Sequence, residues 1–328
     1  MKRSNSLKEA ILTTDSDRFP ELALSVFKSQ AISNPVYKSY LNSLSIDPQQ
    51  IKRIEDIPFL PISFFKSHEV LVAGVSVQTK FMSSGTTGSI RSTHFIADSD
   101  WYLSVSESIF EQFYFPIKDC VILALLPSYQ ENPYSSLIFM VNHFIQKSVC
   151  HISGFVYKAE QVEAKIRQAE ILNKKVILFG VSYALLDLAD NDINLEGCTV
   201  IETGGMKGRR KELTKEELHR VLAQKFKIDT IHSEYGMTEL LSQAYSDSDG
   251  LFSTPPWMRV LTREVNDPFL DNTAQRSGLI KVIDLANYES CSFIETEDMG
   301  ICTKNGQFKI LGRMDNSEVR GCNLMYQG

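Results

Sequence analysis

The sequence predicts an α/β fold in which a helix-flanked sheet is followed by a smaller β-rich subdomain. Three observations carry that expectation. Between residues 121 and 232 short apolar runs alternate with amphipathic stretches of helical period, the pattern of strands and helices packed in layers. Beyond about residue 250 the runs become short, β-rich and punctuated by turn residues. Of the 328 residues, 43% are hydrophobic and 23% charged, which fills a large core and argues against disorder. We therefore expect an α/β body over 1–250 and a β-rich subdomain over 251–328.

Taken in order, residues 17–45 read as helical, with a fresh start at Asn34-Pro35, an N-cap candidate followed by proline at the first helical position. Pro58 and Pro61 break that pattern. Residues 121–126 form a short continuous apolar run, as in a strand buried on both faces, and 135–147 a largely apolar helix. The alternation then repeats as helix 158–172, strand 175–179, helix 181–189, strand 198–201, helix 214–226 and strand 229–232. The helix at 214 opens with a capping box, Thr214 and Glu217. In the last segment 258–262, 278–285, 291–296 and 307–311 read as strands.

Charge narrows the function classes. There are 34 basic and 40 acidic side chains, net charge -6, with no long run of one sign, so nucleic acid is not the expected partner and neither is an anionic membrane. No apolar run approaches the roughly 20 residues that span a bilayer. Residues 1–14 are interrupted by Lys2, Arg3, Lys8 and Glu9 and lack the apolar core of a signal peptide. The six cysteines, Cys120, Cys150, Cys198, Cys291, Cys302 and Cys322, form no C-x-x-C pair, which argues against a zinc site or redox dithiol. A cytoplasmic setting with free thiols is the expectation.

The most informative stretch is Ser83-Ser84-Gly85-Thr86-Thr87-Gly88-Ser89-Ile90-Arg91. Its glycines let backbone approach a ligand closely, its hydroxyls can donate to anionic oxygens, and Arg91 adds a fixed positive charge. It is not a Walker motif, because no Gly-Lys-Ser/Thr follows at the required spacing. By composition alone it is equally a surface turn. Two further segments matter: Ser233-Glu234-Tyr235-Gly236-Met237-Thr238-Glu239, and Leu311-Gly312-Arg313-Met314-Asp315 leading to Val319-Arg320-Gly321.

In this order and rough spacing the set resembles the adenylate-forming superfamily of acyl-CoA synthetases. A closer resemblance is to acyl-protein synthetases of the LuxE type, the fatty-acid-activating component of bioluminescence reductase systems. It rests on Leu126-Pro127-Ser128-Tyr129, on Gly204-Gly205-Met206-Lys207-Gly208-Arg209-Arg210, and on Arg320-Gly321-Cys322-Asn323-Leu324. The resemblance implies the large N-terminal-type domain of those enzymes. Because the sequence stops soon after Asp315, their C-terminal lid domain, with its catalytic lysine, is expected to be absent.

It also implies roles. Ser83, Ser84, Gly85, Thr86, Thr87 and Gly88 would wrap the phosphates of ATP, with Arg91 where many relatives have lysine. Gly204 and Gly205 would pass close to the adenine plane, and Tyr235 would stack on the base, with Gly236 and Met237 counted in the same nucleotide set. Thr238 would bind a phosphate oxygen and Glu239 would hold Mg2+, a hard cation that prefers oxygen ligands. Asp298 and Arg313 would hold the ribose hydroxyls, and one of Lys207, Arg209 and Arg210 would reach the phosphates. Taken singly, each has an ordinary alternative: Tyr235 a core aromatic, Glu239 a helix-start acid, Asp298 a turn residue, Arg313 a surface pair.

The activity implied is activation of a carboxylic acid, most naturally a fatty acid, as acyl-AMP, followed by transfer to a thiol; the alternatives are a ligase that charges coenzyme A or a carrier protein, and a non-catalytic nucleotide- or acyl-binding subunit. Cys322 matches the position of the acylated cysteine in such synthetases, and Arg320 beside it would favour the thiolate. An acyl reductase or carrier would be the partner. Leu137, Ile138, Phe139, Met140, Val141, Phe144, Tyr183 and Leu185 are candidates for an acyl slot or for plain core. His143 and His232 could contact the carboxylate or sit satisfied in the core.

Overall fold

The computed structural model describes residues 2–84, 90–127, 132–148, 151–204, 213–247, 250–264 and 275–314. In chain order the elements are α1 (Lys2–Leu12), α2 (Phe19–Ser33), α3 (Pro35–Ser43), β1 (Leu60–Pro61), α4 (Phe64–Ser67), β2 (Thr79–Met82), β3 (Thr93–Ile96), α5 (Ser99–Phe113), β4 (Cys120–Leu125), α6 (Ser136–Lys147), β5 (Gly154–Phe155) and α7 (Ala159–Ile171). There follow β6 (Lys175–Val181), α8 (Ser182–Ala189), β7 (Thr199–Thr203), α9 (Lys215–Phe226), β8 (His232–Tyr235), β9 (Ala244–Ser246), β10 (Leu251–Phe252), β11 (Met258–Arg263), β12 (Ser277–Asp284), β13 (Phe293–Cys302) and β14 (Phe308–Arg313). Contacts divide the chain into two units, Val77–Pro255 on one hand and Met1–Ser76 with Pro256–Gly328 on the other.

The unit Val77–Pro255 is built on a sheet of order β5-β4-β6-β7-β8-β9, parallel throughout except for β9, which runs antiparallel to β8. Strand side chains alternate between faces. Val121, Leu123, Val176, Leu178 and Val200 point to one face, where they pack with Leu185 of α8 and Leu222 and Phe226 of α9. Phe179 points to the other, where its ring meets Phe110 of α5 at 6.1 Å and Phe144 of α6 at 6.2 Å. Burial on both faces explains why β4 is apolar at every position. The helix α9 forms where its capping box predicts: the Thr214 hydroxyl accepts from Glu217 N and the Glu217 carboxylate from Thr214 N. It ends at Lys227, in the left-handed region at φ 58°.

One expected strand is displaced. The strand anticipated at 229–232 is instead His232–Tyr235, because the chain stays extended through Ser233 and Glu234, polar residues that find buried partners.

In the other unit β11, β12, β13 and β14 form an antiparallel meander, with β1 added parallel to β13. The N-terminal helices group with these C-terminal strands rather than with the residues that follow them, and two side chains show why. The Gln30 amide donates to the carbonyls of Asn287, Tyr288 and Ser290 and accepts from Ser292 N. Asn34 caps α3 through its oxygen while its amide donates to Ser290 O. No helix among the described residues is long and apolar enough to cross a membrane.

Candidate functional site

The hydroxyl-rich segment connects two paired antiparallel strands in the sequence. Strands β2 and β3 pair Met82 with Thr93, and Ser83 closes the neck: its N–H donates to Ser92 O and its hydroxyl accepts from Ser92 N, both at 3.0 Å. Ser84 and Arg91 are exposed on either side. Gly85, Thr86, Thr87 and Gly88 lie outside the described residues, as do Gly205, the run from Lys207 to Arg210, and Cys322. On β3 the buried His94 places Nδ1 2.8 Å from Thr238 O. A carbonyl only accepts, so that nitrogen carries the proton. This bond fastens the β2–β3 pair to the segment leaving β8.

That segment starts at the carboxyl end of β8, the end at which open parallel sheets bind ligands. Tyr235 closes the strand with its ring 5.8 Å from that of Phe252. Gly236 follows under tight constraint, since a Cβ there would stand 2.2 Å from Glu234 Oε1. Met237 and Thr238 are half-buried and Glu239 is buried. On the adjacent strand, Gly204 leaves β7 at φ +77°, a conformation that favours glycine, and its carbonyl accepts a hydrogen bond from the Ser182 hydroxyl.

Between these two strand ends lie two buried carboxyls that the sequence reading did not single out. Glu202 on β7 has Oε1 against the Ser182 hydroxyl; its Oε2 lies 3.2 Å from Ser233 Oγ, 3.3 Å from Lys215 Nζ and 3.9 Å from His219 Nε2. Burial pushes its carboxyl up, but the nearby His219 (itself 3.0 Å from Ser233 Oγ), the Lys215 charge and the Ser182 hydroxyl outweigh it, leaving Glu202 below the usual carboxylate range. Glu234 on β8 accepts from Thr203 Oγ1 at 2.6 Å. Burial pushes it up to about 7; Thr203 and Lys215 act downward and the neighbouring Glu202 charge upward. The available signal, for Glu202 alone, was a carboxyl directly following the apolar pair Val200-Ile201 within β7.

Asp298 and Arg313 belong to the other unit, where they are direct partners across β13 and β14. Arg313 donates to Glu297 Oε2 at 2.9 Å and leaves 60% of its side chain exposed. The candidate histidines both have partners: His143 lies 3.0 Å from Glu107 and His232 3.3 Å from the Tyr114 hydroxyl, and burial holds His232 below its ordinary value. The apolar candidates divide. Phe139 and Phe144 pack with the aromatics of the α5–α6 face, whereas Leu185 is buried in the core on the opposite face, so they do not line one slot. Cys120, Cys198, Cys291 and Cys302 are free thiols, and burial raises them to about 11, 11, 12 and 11.

A family model described as acyl-protein synthetase, LuxE, matches residues 140–327. No curated protein matches the sequence. Among solved structures, ATP-bound MatB from Rhodopseudomonas palustris is 15% identical with TM-score 0.54, over 72% of this chain and 48% of that one. A 2-hydroxyisobutyryl-CoA ligase in complex with 2-HIB-AMP and CoA is 12% identical with TM-score 0.64, over 94% and 78%. O-succinylbenzoate coenzyme A synthetase (MenE) from Bacillus subtilis, in complex with AMP, is 17% identical with TM-score 0.51, over 73% and 50%. The chain thus spans about half the length of MatB and of MenE. What it shares with these ligases is the fold.

Proposed function

The chain belongs to the LuxE family of acyl-protein synthetases, and from that premise we propose that it uses ATP to activate a carboxylic acid as acyl-AMP and then passes the acyl group to a thiol. The observation that carries this reading is the bond from His94 to Thr238, which joins the strand following the hydroxyl-rich segment to the Tyr235-to-Glu239 segment at the carboxyl end of β8. A polyphosphate between them would meet hydroxyls, loop amides and Arg91, with Tyr235 beside the base and Gly204 at the neighbouring strand end. Asp298 and Arg313 are assigned to the ribose. Their cross-strand pairing supports treating them as one element.

The chemistry asks little covalent work of the protein. A carboxylate oxygen attacks the α-phosphorus, the bond to the bridging oxygen breaks, and pyrophosphate leaves. In the second step a thiolate attacks the acyl carbonyl and AMP leaves. Alignment and neutralisation of phosphate charge supply the acceleration.

Glu239 suits Mg2+, which is commonly held by one or two carboxylates and completed by substrate phosphates. No group of three or more His, Cys, Asp or Glu among the described residues is placed to hold a metal, so such a site relies on the nucleotide for its remaining oxygens. When bound, the ion offsets charge on the phosphates.

The acid is assigned as a fatty acid and the acceptor as Cys322, with a reductase or acyl carrier receiving the group afterwards. The four described thiols sit far above neutral pH and are poor nucleophiles, which favours a cysteine elsewhere in the chain.

Intact mass spectrometry after incubation with ATP, Mg2+ and a fatty-acid panel tests both steps. The expected product is a hydroxylamine-labile acyl adduct that disappears in Cys322→Ser while acid-dependent pyrophosphate release persists. Release without adduct, with turnover on adding coenzyme A, moves the acceptor to that thiol. No acid-dependent release ends the reading.

A further inference from the structure

Glu234 is placed in an unusual way for a carboxyl. Thr203, Glu234 and Tyr245 are direct register partners across β7, β8 and β9, so their side chains share one face of the sheet. Oxygen Oε2 takes the Thr203 hydroxyl. Oxygen Oε1 lies 2.2 Å from the point where a Gly236 Cβ would stand, and Gln243 Cγ lies 3.5 Å from that same point. Two buried polar atoms of this neighbourhood make no hydrogen bond: the Tyr245 hydroxyl and Gln243 Oε1. They are of complementary kind. A phenol can donate to a carboxylate, whereas an amide oxygen only accepts and is served by a protonated carboxyl.

We propose that Glu234 is a proton-linked positioning residue of the nucleotide site: neutral, it donates to Gln243 and holds the Tyr235–Gly236 turn; ionised, it turns to the Tyr245 hydroxyl and the polyphosphate binds less well. The inference rests on assigning the exit of β8 to ATP. Among the described residues, Glu234 shares its face with Thr203 from β7, Tyr245 from β9, and Tyr102 and Tyr114 from α5, while the charges of Glu202 from β7 and Lys215 from α9 reach it from the opposite face. Lys215 is the one cation of that set, and it stands 3.3 Å from Glu202. An ionised Glu234 is therefore poorly compensated, and further negative charge from ATP disfavours it. By linkage, ATP binding then takes up protons. Burial holds the carboxyl near 7, which sets the window at pH 6–8.

Calorimetric titration of the full chain with MgATP, in pairs of buffers of different ionisation heat from pH 6 to pH 8, reads both quantities. The wild type is expected to take up a fraction of a proton near pH 7 and to lose roughly five- to tenfold in affinity across the range. Glu234→Gln should show neither change beyond the titration of ATP itself, which is common to all variants. Tyr245→Phe, which removes the partner of the ionised form, should move the midpoint to higher pH; it keeps the test available if Glu234→Gln does not fold. Uptake and affinity profiles identical in wild type, Glu234→Gln and Tyr245→Phe overturn this inference alone. Failure of ATP to bind at any pH overturns the nucleotide reading, and this one with it.

Discussion

Two buried carboxyls at the ends of neighbouring strands meet opposite fates. Glu202 pairs in register with Ser233, and Glu234 with Thr203, so the two side chains point to opposite faces of the sheet. On the Glu202 face α8 and α9 bring Ser182, Lys215 and His219; on the Glu234 face the surroundings are Thr203 and the phenols of Tyr102, Tyr114 and Tyr245. Desolvation acts upward on both, yet Glu202 ends low and Glu234 near 7. The difference teaches that burial alone does not decide ionisation. The count and charge of donors facing the group decide it.

The most severe way to break the contrast is Glu202→Ala. It removes the counter-charge of Lys215 and the acceptor for the buried Ser182 and Ser233 hydroxyls. Since Lys215 keeps 30% of its side chain exposed, the cost sits at the low end of the broken-pair range, about 3–4 kcal/mol. Urea unfolding at pH 7 is expected to show a loss of that order.

Glu234→Gln sharpens the contrast through pH. The carboxyl is raised from its ordinary 4.5 to about 7. Between those values the fold holds a proton that the unfolded chain has released, so wild-type stability falls as pH rises through the window. The loss is complete above it and amounts to about 3 kcal/mol. The variant lacks this slope. Relative to wild type it should gain stability from pH 5 to pH 8 in denaturant titrations, and a parallel pair of curves would remove Glu234 from the account.

The smallest effect is steric. Gly236→Ala drives a methyl onto Glu234 Oε1 and should cost about 1–3 kcal/mol. In combination with Glu234→Ala most of that cost should vanish, a coupling that a double-mutant cycle measures directly.

Much of the fold was legible because local chemistry and tertiary packing agree. Asn34 before Pro35 announces α3, Thr214 with Glu217 announces α9, and the unbroken apolar run of β4 announces a strand covered on both sides. The hairpin β2–β3 was not read, since its strands are four residues each and its loop drew the attention. The displacement of β8 and the silence about Glu202 and Glu234 share one cause. An acidic residue near a strand end reads as a solvent-facing break, and only three-dimensional neighbours such as Ser182, Thr203 and Lys215 convert it into an interior group. Likewise, Asp298 and Arg313 could be named from their motifs, but their pairing depends on a register that shifts between Met299 and Gly300.

The four raised thiols bear on fidelity. A mixed anhydride acylates whatever nucleophile it meets, and an enzyme that makes one risks labelling itself at random. Here Cys120, Cys198, Cys291 and Cys302 keep their protons at physiological pH. On the proposed activity, an acyl-AMP formed in this protein would find these four thiols poor acceptors, so their burial would guard them against stray acylation.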